Sequence, residues 1–129
     1  MPSDPAPARL AAGRAGEAPL ERLVIKARGR VFFLKTAMLD WVEADGDYTR
    51  MHAGGKSYLL RKTMNELEAR LDPAQFIRVS RSAIVNLERI QELEPESRGE
   101  YTVRLSGGVE VKLTRNYREK LESILGDRL

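Results

Sequence analysis

The 129-residue sequence contains no cysteine and only one histidine, His52. Disulfide frameworks, thiolate zinc sites, iron–sulfur clusters and cysteine nucleophiles are therefore excluded, as is any metal cluster that needs two imidazoles. No apolar run approaches the roughly 18 residues of a membrane span, and the amino terminus lacks the basic-then-apolar pattern of a secretion signal. These absences predict a cytoplasmic protein with no metal, no cofactor and no membrane partner.

Arginine is the basic residue that the composition favours. The chain has 22 basic residues, 16 of them arginine, against 19 acidic residues, so its formal net charge is +3. Arginine forks onto phosphates and guanine edges in two-point contacts, so this balance favours a polyanionic partner. The length suits one domain and leaves no room for a second full domain.

The composition changes near residue 22. Residues 1–22 are rich in alanine, proline and glycine and contain neither a sustained apolar alternation nor a capped helix, which predicts a flexible tail or linker. From residue 23 onward, short apolar runs are separated by turn signals. We therefore expect residues 23–129 to form the folded domain.

Most of these runs have the pattern of β-strands. The runs at 23–27 and 31–35 flank a glycine turn, and those at 101–105 and 109–113 alternate apolar with polar residues around a second one. Each pair indicates an antiparallel hairpin, and the second hairpin is expected to have one buried face. Further strands are predicted at 38–43, 48–52 and 56–60. Aromatic side chains within the runs are expected in the core: Phe32, Phe33 and Trp41.

Two segments follow a helical period instead. Thr63 and Glu66 have the spacing of a capping box, and the helix that they open should stop before Asp72 and Pro73. A second helix should begin with Asn116 as its cap and stop at Gly126. The predicted fold is thus mainly β, an antiparallel β-sandwich-like domain with two short helices.

The segment 76–90, FIRVSRSAIVNLERI, places polar groups in the middle of an apolar stretch. Buried polar groups need partners. For Asn86 we expect hydrogen bonds to the backbone. For Arg81, contact with a phosphate or a base is at least as favoured as solvation. At Arg115, where a strand ends and a helix begins, a phosphate contact and a simple surface arginine are equally favoured.

No arrangement of residues predicts an enzyme. His52 has no cysteine, histidine or serine partner nearby, and the carboxylates of the Asp45-Gly46-Asp47 turn lack calcium-loop spacing. Gly55-Lys56-Ser57 lacks the glycine that a P-loop needs five residues earlier. We interpret these features as a strand histidine and ordinary hairpin turns.

Taken together, the segments resemble the LytTR family of bacterial DNA-binding domains over roughly residues 24–125. The resemblance depends on three segments in the family's order, at 41–71 (WVEADGDYTRMHAGGKSYLLRKTMNELEARL), 76–90 and 101–121 (YTVRLSGGVEVKLTRNYREKL). It implies a mostly antiparallel β fold that enters the major groove with loops and has no helix-turn-helix. It also implies a sequence-specific transcriptional regulator of double-stranded DNA, of the type that forms the output half of response regulators.

The resemblance assigns roles to individual residues. Base contacts carry over to Thr49, Arg81 and Arg115, and phosphate contacts to Arg50, Arg78, Ser82 and Asn116. Family members bind direct repeats near promoters, often as two copies on one face of the duplex, so a second copy of the chain is an expected partner on DNA.

Two features depart from the family pattern. Many relatives have histidine where this chain has Ser80, and the usual receiver domain does not fit into about 20 preceding residues. The chain is therefore expected to be a free-standing regulator, with a receiver or sensor on another chain, or the excised output domain of a longer protein.

A rival interpretation is a small β-barrel sensor of cyclic dinucleotides, similar to PilZ domains. The sequence lacks both the pair of arginines with three intervening residues and the Asp/Asn-x-Ser-x-x-Gly turn of such domains. A single-stranded RNA module is also disfavoured, because aromatic residues for base stacking make up only 6% of the chain.

Overall fold

The computed structural model of the protein describes residues 18–129. Its strands are β1 (Arg22–Ala27), β2 (Arg30–Lys35), β3 (Trp41–Asp45), β4 (Tyr48–Ala53), β5 (Lys56–Leu60), β6 (Phe76–Ser80), β7 (Ala83–Asn86), β8 (Ile90–Pro95), β9 (Tyr101–Leu105) and β10 (Glu110–Leu113). Its helices are α1 (Met64–Arg70) and α2 (Arg118–Leu125). The prediction of a mainly antiparallel β fold with two short helices is confirmed.

The strands form three sheets, with a five-stranded sheet in the middle. Its strand order is β5-β4-β3-β7-β6, and the β1-β2 hairpin and the β10-β9-β8 sheet form the other two. Neighbouring residues of β7 belong to different cores, because Ile84 packs with the hairpin and α1 whereas Val85 packs with β9, β10 and α2. β6 and β7 are therefore covered on both faces, which explains why every residue in them is buried.

The predicted hairpins and helix signals are largely confirmed. β1 pairs with β2, and β9 pairs with β10 with alternating buried and exposed residues. The Thr63 hydroxyl accepts a hydrogen bond from the Glu66 amide, and the Glu66 carboxylate accepts one from the Thr63 amide. Gly126 ends α2 in the left-handed region at φ 75°.

The predicted start of α2 was wrong. A 3₁₀ turn over Arg115–Tyr117 precedes the helix, and Tyr117 occupies the N-cap position without a side-chain hydrogen bond. Asn116 lies inside that 3₁₀ turn, one residue too early to cap α2. Its amide side chain is therefore exposed at the surface.

The prediction that Phe32 and Phe33 belong to the core was also wrong. Phe33 is 70% exposed and Phe32 is 42% exposed. Phe33 lies opposite Val24 on the outer face of the hairpin, whereas Leu34 faces the core. Successive residues of a strand point to opposite faces, which places Phe33 outside. Phe32 shares the inner face with Leu34 and lies opposite Ile25, but close to the hairpin turn it is only partly covered.

Residues 1–17 of the predicted tail lie outside the described residues. In the remainder, the Leu20 amide donates a hydrogen bond to the Arg70 carbonyl at 2.8 Å, and β1 begins at Arg22. Thr36 donates its hydroxyl to the Leu20 carbonyl at 3.0 Å. In residues 18–129, no helix is both long and apolar enough to cross a bilayer.

Candidate nucleic-acid interface

Several turns meet at one edge of the central sheet. The Ala44 amide donates to the Ser82 carbonyl at 2.9 Å, which joins the β3–β4 turn to the β6–β7 turn. The Thr114 amide donates to the Val79 carbonyl at 2.9 Å, which brings the β10–α2 junction to the end of β6. We call this edge the loop edge and define it as residues 45–48, 61–62, 81–82 and 114–116.

Two arginines of the loop edge present open guanidinium groups. Arg81 and Arg115 are both exposed, and neither forms an ion pair or a side-chain hydrogen bond with any residue in the range 18–129. Each is close to a backbone hydrogen bond of the edge: Arg81 is two residues beyond Val79, and Arg115 follows Thr114. The fold therefore places two of the three side chains predicted to contact bases, Arg81 and Arg115, at the same edge, with their donors available.

Arg78 has a different position from the one predicted. Its residue is only 7% exposed, and its Nε and Nη2 donate to the carbonyls of Ser80 and Arg81 at 2.9 and 2.6 Å. Its Nη1 donates to Glu68 and Asn65 of α1 at 2.8 and 2.9 Å. Arg78 thus forms a clamp that ties the β6–β7 turn to α1, and the guanidinium predicted to contact a phosphate is largely buried and hydrogen-bonded within the protein.

Thr49 is buried as well. It is 1% exposed, its hydroxyl donates to the Leu60 carbonyl at 3.3 Å, and its side chain lies on the core-facing side of β4 with Met51. Its neighbour Tyr48 is 39% exposed at the loop edge, with the Arg61 guanidinium carbon 5.9 Å from the ring centroid. The expected base contact at Thr49 is therefore not accessible, and Tyr48 occupies the outward position beside it.

Tyr48 and Arg61 are not among the contact residues predicted from the sequence. A usable signal was present, because Met51 and Ala53 have the same parity as Thr49 and are typical core residues. Alternation along β4 therefore places Thr49 inside and Tyr48 outside. Arg61 is brought to the same edge by the pairing of Leu60 with Thr49 across β4 and β5.

The remaining predicted phosphate contacts lie at or beside the loop edge. Arg50 is partly exposed and donates to Asp45 from Nε and Nη2 at 3.1 and 2.8 Å, and to the Ser57 hydroxyl at 3.2 Å. Ser82 is exposed, and its amide donates to the Ser80 hydroxyl at 3.2 Å. Asn116 is exposed next to Arg115. Arg50 must leave Asp45 to bind a phosphate, whereas Ser82 and Asn116 are accessible as they stand.

His52 and Asn86, which lie outside the loop edge, have structural partners. His52 stacks on Trp41 with ring centroids 4.4 Å apart, and its Nε2 lies 2.6 Å from the Glu43 carboxylate. The side chain of Asn86 donates to the Leu39 carbonyl at 2.8 Å, which confirms the expected backbone bond. Within residues 18–129, no group of three or more acidic or histidine side chains is arranged to hold a metal ion.

The model of the LytTr DNA-binding domain family matches residues 29–126 of this sequence. The chain belongs to the LytTR family. Its fold agrees, because a solved LytTr DNA-binding domain of a methyl-accepting/DNA response regulator from Bacillus cereus superposes with a TM-score of 0.76 at 21% identity. That similarity covers 83% of this chain and 98% of the other.

Two relatives of this LytTR chain are described as transcriptional regulators. The transcriptional regulatory protein LytR of Staphylococcus aureus is 26% identical over 106 residues, which cover 82% of this chain and 43% of LytR. The CO-responsive transcriptional regulator RcoM of Rhodospirillum rubrum is 39% identical over 75 residues, which cover 58% of this chain and 32% of RcoM. The LytTR chain thus spans less than half the length of these relatives.

The outer face of the β8–β10 sheet in this LytTR domain is acidic. Glu92, Glu94 and Glu110 surround Arg104, with nitrogen–oxygen distances of 2.7, 2.6 and 2.9 Å. Hydrogen bonding to these carboxylates, first of all to Glu94, raises the pKa of Arg104 above its usual value. The three carboxylates outnumber the one arginine that they surround, so this part of the face carries a local negative charge.

Proposed function

We propose that this LytTR domain is the DNA-binding part of a transcriptional regulator and reads double-stranded DNA with its loop edge in the major groove. The observation that carries the proposal is the pair of exposed guanidinium groups, Arg81 and Arg115, on neighbouring turns. Each can fork onto the O6 and N7 atoms of a guanine, a contact that contributes about 1–3 kcal/mol of discrimination against other bases.

The clamp at Arg78 supports a reading role for Arg81. Because the carbonyl of Arg81 is held by the guanidinium of Arg78, the turn that presents the Arg81 side chain is fixed before DNA arrives. A preorganised contact loses less conformational entropy on binding than one formed on a loose turn. The same clamp reaches α1 through Glu68, so the turn is braced by a second element.

The other contacts divide by accessibility. Ser82 and Asn116 are proposed to bind phosphates next to Arg81 and Arg115. Arg50 is proposed to bind a further phosphate after its guanidinium releases the Asp45 carboxylate. Tyr48 takes the base-edge position first expected for Thr49, because its side chain is the one that faces outward. Phosphate contacts fix the orientation of the domain, and base contacts determine the sequence that it prefers.

We propose further that the operator is a direct repeat bound by two copies. A single domain with a net charge of +3 and few base contacts should bind weakly, and two copies on adjacent half-sites gain affinity through effective concentration. The regulators LytR and RcoM, which are more than twice as long as the matched segment, support a role for a receiver or sensor domain in controlling this output.

A selection from a library of random double-stranded DNA tests the function. The purified protein is mixed with the library at moderate salt, and the bound pool is sequenced. Enrichment of two short motifs in the same orientation at a fixed distance is the expected result. Salt-sensitive binding without any enriched motif would contradict sequence reading by the loop edge.

A further inference from the structure

The turn between β8 and β9 contains an arginine in an unfavourable backbone conformation. Arg98 has φ 63° and is followed by Gly99 at φ 76°, so both residues lie in the left-handed region. Such turns favour asparagine, aspartate or glycine at the first position, and a long side chain is uncommon there. Arg28 and Gly29 in the β1–β2 turn have the same conformation, at φ 55° and 73°, so what distinguishes Arg98 is what surrounds its turn.

The side chain of Arg98 has no role in the fold that accounts for this strain. The residue is exposed, and it forms neither an ion pair nor a side-chain hydrogen bond with any residue of the described part of the chain. A substitution to asparagine would suit the backbone better and remove no contact. The guanidinium group of Arg98 is therefore available to a ligand.

The turn lies against the readout arginine of the β10–α2 junction. An added Cβ at Gly99 would lie 3.4 Å from Cδ of Arg115, an ordinary van der Waals distance, so the turn lies directly beside the Arg115 stem. Arg98, Glu100, Thr114, Arg115 and Asn116 line one open cavity of about 290 Å³.

The charge of this cavity is positive. Arg98 and Arg115 contribute two unpaired guanidinium groups, and the one carboxylate of the lining, Glu100, pairs with Lys112 at 3.2 Å. An anion in the cavity would face two positively charged guanidinium groups, while the only lining carboxylate is already paired with a lysine. A phosphate oxygen fits this chemistry, because guanidinium groups bind phosphates in two-point contacts.

We propose that the β8–β9 turn is an additional DNA-contacting element, in which Arg98 binds the backbone phosphate next to the base read by Arg115. This inference rests on the proposed function and adds to it an element outside the loop edge. A phosphate contact carries no sequence information, so Arg98 should strengthen binding to every sequence alike.

Binding measurements on Arg98→Asn test the inference. Asparagine keeps the left-handed turn but removes the charge, so we expect an unchanged or higher melting temperature. Affinity for both the selected operator and random DNA should fall about tenfold. The slope of log K against log salt should become shallower by about 0.9.

Two further variants serve as controls. Arg98→Lys keeps a positive charge and should retain the salt slope of the wild type. Arg22→Asn removes the same charge from an exposed position at the start of β1, at the opposite end of the hairpin from its turn, and should leave both affinities within about twofold of the wild type by the small effect of remote surface charges.

The outcomes separate the inference from the function on which it rests. Wild-type protein that binds no DNA would overturn both. Wild-type protein that binds DNA while Arg98→Asn shows the same affinity and salt slope would overturn the inference alone. A loss restricted to the selected operator would also overturn it, since that result assigns base reading to Arg98.

Discussion

Arg78 and Arg81 are three residues apart, yet one is buried and the other is open to solvent. Arg78 lies on the face of β6 that meets α1, where Glu68 and Asn65 accept its hydrogen bonds. Arg81 lies in the turn after β6, where no element of the described chain covers it. An arginine on the strand face that meets α1 is hydrogen-bonded inside the protein, whereas an arginine in the turn beyond the strand keeps its donors open to a ligand.

Replacing Arg78 should destabilise the fold. Arg78→Ala removes four hydrogen bonds and leaves the carbonyl of Ser80 in a buried site without that donor, so we expect the free energy of unfolding to fall by about 3 kcal/mol. Urea denaturation measures the loss. Arg81→Ala is the matched control and should change the stability by less than about 0.5 kcal/mol. Equal stabilities of the two variants would contradict the clamp.

Tyr48 and Thr49 form a second matched pair. Tyr48→Ala should weaken operator binding by about 1 kcal/mol, the contribution of one hydrogen bond, with little change in stability. Thr49→Val should lower the free energy of unfolding by about 1 kcal/mol, because the hydrogen bond to the Leu60 carbonyl is lost, and should leave DNA binding unchanged. Titration of the operator and thermal melting separate the two effects. Loss of DNA binding by Thr49→Val alone would contradict this assignment.

At the scale of elements, α1 is both a core helix and a support of the interface. Its capping box fixes the start of the helix close to Arg61 and Lys62 of the loop edge, and its middle carries Glu68 against the clamp. Two side chains of the capping box, Thr63 and Glu66, satisfy backbone amides that the first turn leaves open.

The capping box predicts a pH-dependent contribution to stability. Hydrogen bonds to Glu66 from the backbone and side chain of Thr63 lower the pKa of the Glu66 carboxyl from its usual value. A lowered pKa in the folded state stabilises the protein above the unfolded pKa, about 4.3, and this stabilisation is lost as the pH falls through the lower folded value.

The measurement compares wild type with Glu66→Ala by urea denaturation over a series of pH values. The wild type should be more stable near pH 7, and the difference should shrink as the pH falls below about 4. Glu66→Gln can still accept the hydrogen bond from the Thr63 amide but carries no charge, so it separates the effect of the hydrogen bond from that of the ionised carboxylate. A difference that stays constant over the whole series would contradict the contribution of the ionised carboxylate.

The elements were more predictable from the sequence than the orientation of their side chains. Hairpins and helix ends depend on local signals, which is why the glycine turn of β1-β2, the Thr63 cap and the Gly126 stop were all confirmed. Whether a particular residue faces the core depends on which layers cover its sheet. That information is absent from a local pattern, and Phe33 was misplaced for this reason.

In the candidate site too, the identity of some contact residues was predictable from the sequence, but their burial and proximity were not. Arg81 and Arg115 were predicted as contacts and lie exposed at one edge, but their proximity depends on hydrogen bonds between distant segments, such as that of Thr114 with Val79. Arg78 was assigned by resemblance to a motif, which does not report burial. Its partners on α1 are ten or more residues away and had no sequence signal.

For binding of a polyanion by the whole molecule, the distribution of charge over the surface matters more than the net charge. The net charge is only +3, but three carboxylates surround Arg104 on the outer face of the β8–β10 sheet, whereas Arg81 and Arg115 of the loop edge have no acidic partner among the described residues. Because complementary charge orients a protein on its partner, we expect this distribution to favour the approach of a polyanion at the loop edge.

Two copies on a direct repeat should be sensitive to the spacing of their half-sites. Inserting about 5 bp moves the second half-site to the opposite face of the duplex, since one helical turn is about 10.5 bp. We expect this insertion to reduce affinity by about 100-fold or more through loss of avidity, and an insertion of a full turn to restore part of it. Gel-shift titration with the two spacings gives the comparison. Equal affinity at both spacings would contradict simultaneous binding on one face.

The most direct test of base reading by the loop edge is to repeat the library selection with Arg81→Ala and Arg115→Ala. Each variant is predicted to enrich the wild-type motif with the preference lost at one base position, different for the two variants, at a cost of about 1–3 kcal/mol for that position. Motifs identical to that of the wild type for both variants, with only a uniform loss of affinity, would contradict the account.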